Sequence, residues 1–468
     1  MEHLTSRGKS SFASLVSRTV LSQVPSIPKQ KNAHLVPPSS FHLLRILKHG
    51  IIFGFVLRIL VFTLTDAPDF MEERFEISTP VTGFKRMKEG LFLFRNGIDP
   101  YEGGLFHQAP LLLLLFHLLS KFPSVLNPVV FATADAISSL ALIRIARLKL
   151  KLQRNEQWKP RGPPLWDEIG EHSANRKDGN LQIFPELVST LYSLNPLIVA
   201  GCLGRSSVVF NNVAVMCALY YAMRGKRTLS MLSLALATYF SLYPVVLFGP
   251  CVLLLAVRNK LPVVATCAAS FLCFMALLLY LSYELMGRSW NFIFATYGVI
   301  LSAPDLTPNI GLWWYFNIEI FDEFRLFFLG VFNLLIVCFA LPVTVRMKTN
   351  PLFAAYILSL ILAVTKSYPS ILDIGLYMSL FSLNPEVMKY MRHTVTLLFV
   401  TPVCVMLPPT FHYLWIYQGR ANSNFLYAAT LVVGAAQVVL LIDSSIAHLR
   451  REWERVNGEW RGVAARHS

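Results

Sequence analysis

Residues 43–64 read LLRILKHGIIFGFVLRILVFTL. The stretch supplies one membrane crossing, because about 20 predominantly apolar residues in a helix span the hydrocarbon core of a bilayer. Arg45, Lys48 and His49 stand at its start, and basic residues favour the cytosolic side of a membrane, so we expect a cytosolic N-terminus. Arg58 lies deep in the stretch. We expect its side chain to face protein or a cavity, since exposing a cation to lipid is costly.

The composition indicates the same class of protein for the whole chain. Of its 468 residues, 54% are apolar and 15% are charged, whereas about 25% charged is usual in soluble domains. This balance excludes a soluble enzyme, a disordered protein and a nucleic-acid reader with one basic domain. The net charge of +15 is assigned to cytosolic loops that face anionic lipid, not to nucleic-acid binding. The chain is predicted to be a polytopic membrane protein.

Further apolar runs follow the first one almost without interruption. They predict an all-α fold, a polytopic transmembrane helical bundle with about 11–13 crossings, counting short or re-entrant helices. Pro interrupts many runs, and a broken helix survives in lipid only where neighbours or water satisfy the freed backbone groups. We therefore expect a packed bundle around a cavity. The runs are 109–120, 126–148, 183–203, 207–223, 229–258, 261–285, 324–346, 351–383, 394–409 and 425–447.

Three regions organise the chain. Residues 1–40 are polar, basic and rich in Ser, and are predicted to be a disordered cytosolic tail, with a transit peptide as the other interpretation. Residues 41–450 form the transmembrane helical domain, and residues 451–468 are a basic tail that is also assigned to the cytosol. The domain contains three hydrophilic loops: 65–106 and 287–322, both predicted to be luminal, and 149–181. The side of this last loop stays open, because its basic start contradicts the luminal position that two full crossings before it would give.

The motifs of the chain do not predict catalysis. The sequence has no G-x-S-x-G, H-E-x-x-H, P-loop or dinucleotide fingerprint. Its seven cysteines lie in apolar stretches without a C-x-x-C pair, which is typical of small buried hydrophobes. No catalytic residue, cofactor or metal site is therefore predicted, and a hydrolase acting alone is disfavoured.

A first polar patch, TKSYPSILDIGLY at residues 365–377, interrupts a long apolar run. On a straight helix Lys366 and Asp373 would share a face about 10.5 Å apart and could not touch, although Pro369 argues against a straight helix. Ionisable residues inside a membrane are functional candidates by default, so both are candidate ligand-binding residues. The alternatives are a structural ion pair, or a Lys366 side chain that extends to the interface.

A second polar patch, SAPDLTPNIGLWWYF, occupies residues 302–316. Its two prolines and Gly311 predict a rigid turn. Asp305 and Asn309 are candidates either for helix capping or for contact with a polar ligand. The aromatic residues Trp313, Trp314 and Tyr315 predict a belt at the membrane interface.

A third polar patch, LWIYQGRANSNF, occupies residues 414–425 at the end of an apolar run. Arg420, Asn422 and Asn424 suit a phosphate and sugar hydroxyls, because Arg binds phosphate bidentately and Asn both donates and accepts hydrogen bonds. A polar turn between two helices is the alternative interpretation.

Five segments in these regions resemble one family closely, the phosphatidylinositol glycan class U (PIG-U) family. They are NGIDPYEGGLFHQAPLL (96–112), LALATYFSLYPVVLFGP (234–250), ILSAPDLTPNIGLWWYF (300–316), KSYPSILDIGLYM (366–378) and LWIYQGRANSNFLYA (414–428). The family provides the polytopic subunit of the glycosylphosphatidylinositol (GPI) transamidase. The resemblance extends from about residue 45 to about residue 455.

The resemblance implies residence in the endoplasmic reticulum membrane and membership of a complex that attaches preassembled GPI anchors to proprotein C-termini. It implies that a separate cysteine-protease-like subunit performs catalysis, so that this chain is an accessory subunit with the GPI lipid and the other transamidase subunits as partners. The family's Asn pair is matched by Asn422 and Asn424. With Arg420, these residues are the leading candidates for binding GPI.

The chain is also similar to the GT-C glycosyltransferases, whose first luminal loop resembles IDPYEGGLFHQAPLL. Those enzymes use paired acids there, whereas the corresponding segment RFEISTPVTGFKR (74–86) retains Glu76 but has Ser78 at the partner position. One carboxylate makes a poor site for a hard cation. We therefore expect a glycosyltransferase-like scaffold that binds but does not transfer. The alternatives are an active dolichol-phosphate-dependent mannosyltransferase with Glu76 as base, and an assembly scaffold without a ligand.

Overall fold

The computed structural model describes four stretches of the chain, residues 49–123, 125–154, 184–256 and 262–457. Helices are the only regular secondary structure in these stretches, which confirms the predicted all-α fold. Several predictions concern residues outside them: the tail 1–40, the basic start of the first crossing, most of the hydrophilic loop 149–181 and the end of the basic tail.

The helices are numbered here in chain order. The first ten are α1 (Gly50–Leu64), α2 (Ala67–Glu72), α3 (Phe84–Arg95), α4 (Pro110–Leu119), α5 (Leu126–Arg154), α6 (Pro185–Ser193), α7 (Pro196–Leu203), α8 (Val208–Met223), α9 (Arg227–Ser241) and α10 (Phe248–Ala256). The others are α11 (Pro262–Leu285), α12 (Asn291–Ser302), α13 (Trp313–Glu319), α14 (Asp322–Arg346), α15 (Pro351–Thr365), α16 (Ile371–Phe381), α17 (Pro385–Met388), α18 (Thr394–Ile416) and α19 (Ser423–Val456). A 3₁₀ turn at Tyr243–Leu247 joins α9 to α10, and α12 contains a π-helical turn at Phe294–Gly298.

Five of the described helices, α5, α11, α14, α18 and α19, are long and apolar enough to cross a membrane. The pair α6 and α7, bent by 45° at the break between them, would make a sixth crossing. Seven further apolar segments have 10–17 residues, fewer than the roughly 20 residues of a usual span. The predicted 11–13 crossings therefore require several short helices to cross, and that number remains a prediction.

Proline residues mark many of the helix boundaries. Pro185 and Pro196 occupy the first turns of α6 and α7. A backbone N–H there has no acceptor within the helix, so its absence in Pro costs no hydrogen bond. Pro369 lies in the break between α15 and α16, and Pro244 lies in the 3₁₀ turn. Pro402 departs from this pattern, because it lies inside α18 together with Pro408 and Pro409.

The bundle has a buried centre and an exposed apolar periphery. Nearly every residue of α15 and most residues of α8 and α16 are buried. By contrast, only 11% of an apolar 18-residue stretch of α14 is buried, and only 22% of the corresponding stretch of α11. Large exposed apolar surfaces are unfavourable in water, so these outer helices suit contact with lipid.

Arg58 confirms its prediction, because only 2% of the residue is exposed. Its Nε atom pairs with Asp135 Oδ2 of α5 at 3.0 Å, and its Nη1 atom donates to the carbonyl oxygens of Gly54 and Ser193 at 2.9 and 2.8 Å. A buried charge is tolerated when it is paired and hydrogen-bonded. The Arg58–Asp135 pair joins α1, α5 and the end of α6.

Two helices extend beyond the boundaries predicted from hydropathy. Helix α5 continues to Arg154, into the predicted loop, because Lys149 is buried and pairs with Glu386 at 2.7 Å. Helix α19 continues to Val456, into the predicted tail, where Arg450 pairs with Glu454 at 3.1 Å four residues along the helix. Ion pairs at this spacing stabilise a helix without apolar side chains.

Candidate functional site

The first polar patch forms a buried ion pair at a break between two helices. Lys366 ends α15 in an extended conformation, and its Nζ atom lies 2.5 Å from Asp373 Oδ1 in the first turn of α16. Asp373 Oδ2 accepts a hydrogen bond from the Ser370 N–H at 2.9 Å, within a capping box. The chain between Lys366 and Asp373 is therefore not the straight helix on which they could not touch, and the structural ion pair of the alternative interpretation is present.

Tyr243, in the turn between α9 and α10, packs against this break. The Lys366 Nζ atom lies 5.4 Å from the centroid of the Tyr243 ring, a cation–π arrangement. The Tyr243 hydroxyl oxygen accepts a hydrogen bond from the Ser367 N–H at 3.1 Å. Lys366 is thus held by a carboxylate and an aromatic ring, which excludes the alternative of a side chain that extends to the interface.

The second polar patch lies directly on the first. The Asn309 side chain donates to the Ser367 carbonyl oxygen at 3.4 Å and accepts from the Gly311 N–H at 2.7 Å. The Tyr368 hydroxyl donates to the Asp305 carbonyl oxygen at 2.9 Å. A Cβ atom on Gly311 would come within 2.8 Å of the Pro369 ring, so the two loops are in close contact.

The side-chain oxygens of Asp305 and Asn309 accept hydrogen bonds within their own loop. Asp305 Oδ1 accepts a hydrogen bond from the Thr307 N–H at 3.0 Å, and neither residue is the N-cap of α13, which is Leu312. The prediction of helix capping is wrong for both residues, because the carboxylate and the amide each stabilise a turn before the helix. The belt prediction is wrong for Trp314, which is 2% exposed and packs in the core.

The third polar patch is an exposed turn between α18 and α19. Asn422 is the N-cap of α19, where its side-chain oxygen accepts from the Phe425 N–H at 3.1 Å. Asn424 Oδ1 accepts a hydrogen bond from the Tyr315 hydroxyl of the second patch. The side chain of Arg420 is exposed and has no hydrogen-bond or ion-pair partner among the described residues. The predicted interhelical turn is therefore present, and the side-chain oxygens of Asn422 and Asn424 both accept hydrogen bonds there.

The three patches, far apart in sequence, form one connected region. Trp313 Nε1 donates to the Thr365 carbonyl oxygen at 2.9 Å, and the Tyr315 ring stacks on Tyr427 of α19 at 4.7 Å between centroids. Residues 302–316 thus contact the first patch on one side and the third on the other. The Lys366–Asp373 pair makes no direct hydrogen bond or ion pair with the third patch in the described part of the chain.

A partly enclosed cavity of about 30 Å³ adjoins the ion pair. Its walls come from the loops before α3 and α4, the start of α8, the end of α9, and α12, and they include Lys366, Asp373, His107, Gln108 and Asn211. The cavity is large enough for one or two water-sized groups.

His107 contributes a neutral ring to the wall of this cavity. Its Nδ1 atom lies 2.8 Å from the Ala295 carbonyl oxygen of α12. Burial lowers the pKa of the His107 imidazole below its usual value, so the ring is uncharged at neutral pH.

Sequence reasoning did not identify Gln108 and Asn211 as site residues. Both are 3% exposed and each has one amide oxygen without a hydrogen-bond partner among the described residues. The available signal was the Asn211–Asn212 pair inside the apolar run 207–223, since buried amides are rare in such a run. Gln108 lies within the family-like segment 96–112, but nothing in its local pattern distinguishes it.

Glu76 lies near the site, but an arginine holds it. Its Oε1 atom pairs with Arg74 Nε at 2.8 Å, and its backbone oxygen accepts a hydrogen bond from the Ile371 N–H at 3.0 Å. Glu76 therefore connects the loop after α2 to the start of α16. One oxygen of its carboxylate is thus occupied by the ion pair with Arg74.

The helices and the buried polar groups define a polytopic, all-α membrane protein with a polar region set among apolar helices. A family model described as GPI transamidase subunit PIG-U matches residues 52–433. The chain belongs to this family, which confirms the resemblance seen in its sequence segments.

Three relatives show how far the similarity extends. The GPI-anchor transamidase components PIGU of Homo sapiens and Cricetulus griseus are each 36% identical over 405 residues, covering 83% of this chain and 91% of the relative. The GPI transamidase component GAB1 of Saccharomyces cerevisiae is 32% identical over 390 residues, covering 82% of this chain and 89% of the relative. These names support a GPI transamidase subunit over a mannosyltransferase, and a component is part of a larger complex.

Proposed function

We propose that this chain is a non-catalytic subunit of the GPI transamidase in the endoplasmic reticulum membrane, and that it binds the GPI lipid and presents it for attachment to proprotein C-termini. The support is the family membership and the naming of the relatives as transamidase components. A separate cysteine-protease-like subunit catalyses the transamidation, as the resemblance implies. With N- and C-termini in the cytosol, the loops 65–106 and 287–322 face the lumen.

The third polar patch is the proposed headgroup site. The guanidinium of Arg420 is exposed and has no partner among the described residues, and the Tyr315 hydroxyl donates to Asn424. Asn422 starts α19, a helix of 34 residues, and the N-terminus of a helix attracts phosphate through its free N–H groups and its dipole. This combination of a free cation, a positioned amide and a helix start is the observation that carries the proposal.

The remaining candidate residues hold the loop that contacts this site. Asn309 and Asp305 shape the loop that carries Tyr315, and the Lys366–Asp373 pair holds the break on which that loop rests. The exposed apolar faces of α11, α14 and α18 suit the acyl chains. The ethanolamine amine of the GPI anchor would then be held near the catalytic subunit, which favours the reaction through proximity and orientation.

The test replaces both Asn422 and Asn424 with Leu in cells that lack the native subunit. We expect assembled complexes that retain less co-purified GPI, measured by mass spectrometry, and cells with fewer GPI-anchored proteins at the surface, measured by flow cytometry. Asn457→Leu is the matched control, because Asn457 caps the other end of the same helix. Unchanged anchor retention and unchanged surface display in the double variant would contradict the proposed site.

A further inference from the structure

The end of α18 presents two stacked tyrosine rings at the edge of the third polar patch. Tyr413 and Tyr417 are four residues apart, and their ring centroids lie 5.5 Å apart with the ring planes inclined by 26°. The two residues are 47% and 65% exposed. Neither hydroxyl has a hydrogen-bond partner within the part of the chain that the structure describes. The pair is therefore an aromatic surface that is open to a ligand.

A tight turn after these rings brings a cation back towards them. The Arg420 N–H donates to the Leu414 carbonyl oxygen, inside the last turn of α18, at 2.9 Å. Gly419 makes this reversal with φ +62°, a left-handed conformation that Gly adopts without strain. Arg420 is exposed, and Arg binds phosphate bidentately. When its guanidinium holds a phosphate, the next group of the same lipid headgroup can reach the rings of Tyr413 and Tyr417.

The depth of the rings in the membrane agrees with a headgroup ligand. Helix α18 has 23 residues, which corresponds to about 35 Å at 1.5 Å per residue. The hydrocarbon core of a bilayer is about 30 Å thick, so one end of α18 extends beyond it. With the start of α18 on the cytosolic side, Tyr417 lies at the level of the luminal headgroups. In the GPI anchor this level contains the lipid phosphate and the inositol ring joined to it.

An inositol ring matches this surface in charge and in hydrogen bonding. The faces of an aromatic ring carry partial negative charge, whereas the C–H groups of a polyol ring are partly positive because each carbon carries an oxygen. The Tyr hydroxyls both donate and accept hydrogen bonds, which suits the ring hydroxyls. We propose that Tyr413 and Tyr417 form a stacking subsite for the inositol ring of the anchor, while Arg420 binds its phosphate. The proposal rests on the proposed function, because it adds a subsite to the headgroup site placed there.

The experiment compares two lipids bound to the purified transamidase complex in phosphatidylcholine nanodiscs, by native mass spectrometry. Phosphatidylinositol carries the polyol ring, whereas phosphatidylglycerol carries the same phosphodiester charge and has its hydroxyls on an open chain. The wild-type complex should prefer phosphatidylinositol. The variant Tyr413→Leu/Tyr417→Leu removes both rings, keeps apolar side chains, and should lower this preference by about tenfold. The variant Tyr413→Phe/Tyr417→Phe keeps the ring faces and should retain more of the preference than the Leu variant.

Trp290→Leu is the matched control, because Tyr and Trp residues also anchor membrane proteins at the interface without binding a specific ligand. Trp290 is 47% exposed and stacks on Tyr283 at 4.6 Å between centroids, before α12 and not in the third patch. Its replacement should leave the preference for phosphatidylinositol unchanged. An equal loss in the Trp290 variant, or an equal weakening of both lipids in the Leu variant of Tyr413 and Tyr417, would assign the effect to general interface anchoring and overturn the subsite.

Anchor retention in cells separates the anchor from free phosphatidylinositol, and the subsite from the proposed function. The Leu variant of Tyr413 and Tyr417 should co-purify with less GPI than the wild-type complex. If it retains the wild-type amount while the Asn422→Leu/Asn424→Leu variant retains less, the tyrosine subsite for the anchor is wrong and the proposed function stands. If both variants retain the wild-type amount, both proposals fail.

The wild-type complex supplies a measurement that does not depend on the folding of any variant. A density map of the complex with bound glucosaminyl-phosphatidylinositol, prepared without sugar-based detergent, should place the inositol ring in contact with Tyr413 or Tyr417, at about 4–4.5 Å between heavy atoms. Acyl chains on these two rings, with the inositol elsewhere, would overturn the proposal.

Discussion

Lys366 and Asp373 form an ion pair of 2.5 Å across the break between α15 and α16. Because the backbone leaves the helical conformation at Lys366 and re-enters it after Ser370, two residues that would be a helical length apart come into contact. The pair closes the break in the buried centre of the bundle. The loop 302–316 contacts the same break through hydrogen bonds of Asn309 and Asp305.

This geometry predicts strong coupling between the two charges. Lys366→Met leaves the Asp373 carboxylate buried without its cation, and should destabilise the protein by about 3–5 kcal/mol. The double variant Lys366→Met/Asp373→Asn removes both charges and should lose less stability than the single Lys366 variant. Thermal unfolding of the purified complex measures the difference. A double variant as unstable as the sum of the two single variants would show that the pair does not couple.

Tyr315 provides a second prediction, about the headgroup site. Tyr315→Phe removes the hydroxyl that donates to Asn424 and keeps the ring that stacks on Tyr427. Loss of one hydrogen bond of about 0.5–1.5 kcal/mol should lower anchor retention by about twofold to twelvefold. Tyr427→Phe is the control, because the hydroxyl of Tyr427 makes no hydrogen bond within the described residues. Equal anchor retention in both variants would show that the Tyr315 hydroxyl does not contribute to anchor binding.

Gly311 provides a third prediction, about the contact between the first and second patches. A Cβ atom at this position would lie 2.7 Å from Asn309 Oδ1 and 2.8 Å from Pro369, so Gly311→Ala should cost about 1–3 kcal/mol of stability through overpacking. On the exposed helix α14, a Cβ atom at Gly330 would meet no atom within 4 Å, so Gly330→Ala should increase the stability by about 0.5–1 kcal/mol. Thermal unfolding of the complex checks both values, and a Gly311 variant as stable as wild type would contradict the close contact.

The fourth prediction concerns the place of this chain in GPI assembly. Cells that lack the chain should accumulate complete GPI precursors, because attachment to proteins fails after the anchor has been built. Lipid extraction with mass spectrometry of the glycan measures this. Truncated glycans that lack mannose would instead indicate the mannosyltransferase alternative with Glu76 as base, and restoration by a Glu76→Gln variant would argue against that alternative independently.

Local pattern was sufficient for much of the fold. The apolar runs predicted an all-α membrane protein, because the hydropathy of a span depends on its own residues. The context of Arg58 predicted that it faces protein or a cavity, since a cation is costly in lipid. The long run 351–383 contains two helices, α15 and α16, and Pro369 marks the break between them. Local patterns of this kind require no knowledge of distant contacts.

Partners distant in sequence could not be predicted in this way. Asp135 lies 77 residues from Arg58, and nothing local connects them. Likewise, Asn422 and Asn424 look equivalent in sequence, yet Asn422 caps α19 while Asn424 is bound by Tyr315, 109 residues earlier in the chain.

The sequence by itself determined that this chain is an apolar helical bundle of the PIG-U family with three polar patches. Only the tertiary structure decided that the patches are one region, that Lys366 meets Asp373, and that Gln108 and Asn211 line one cavity with them. The reason is physical: helix formation and membrane partitioning are set by neighbouring residues, whereas a buried polar group is satisfied by whichever partner packing brings within about 3 Å.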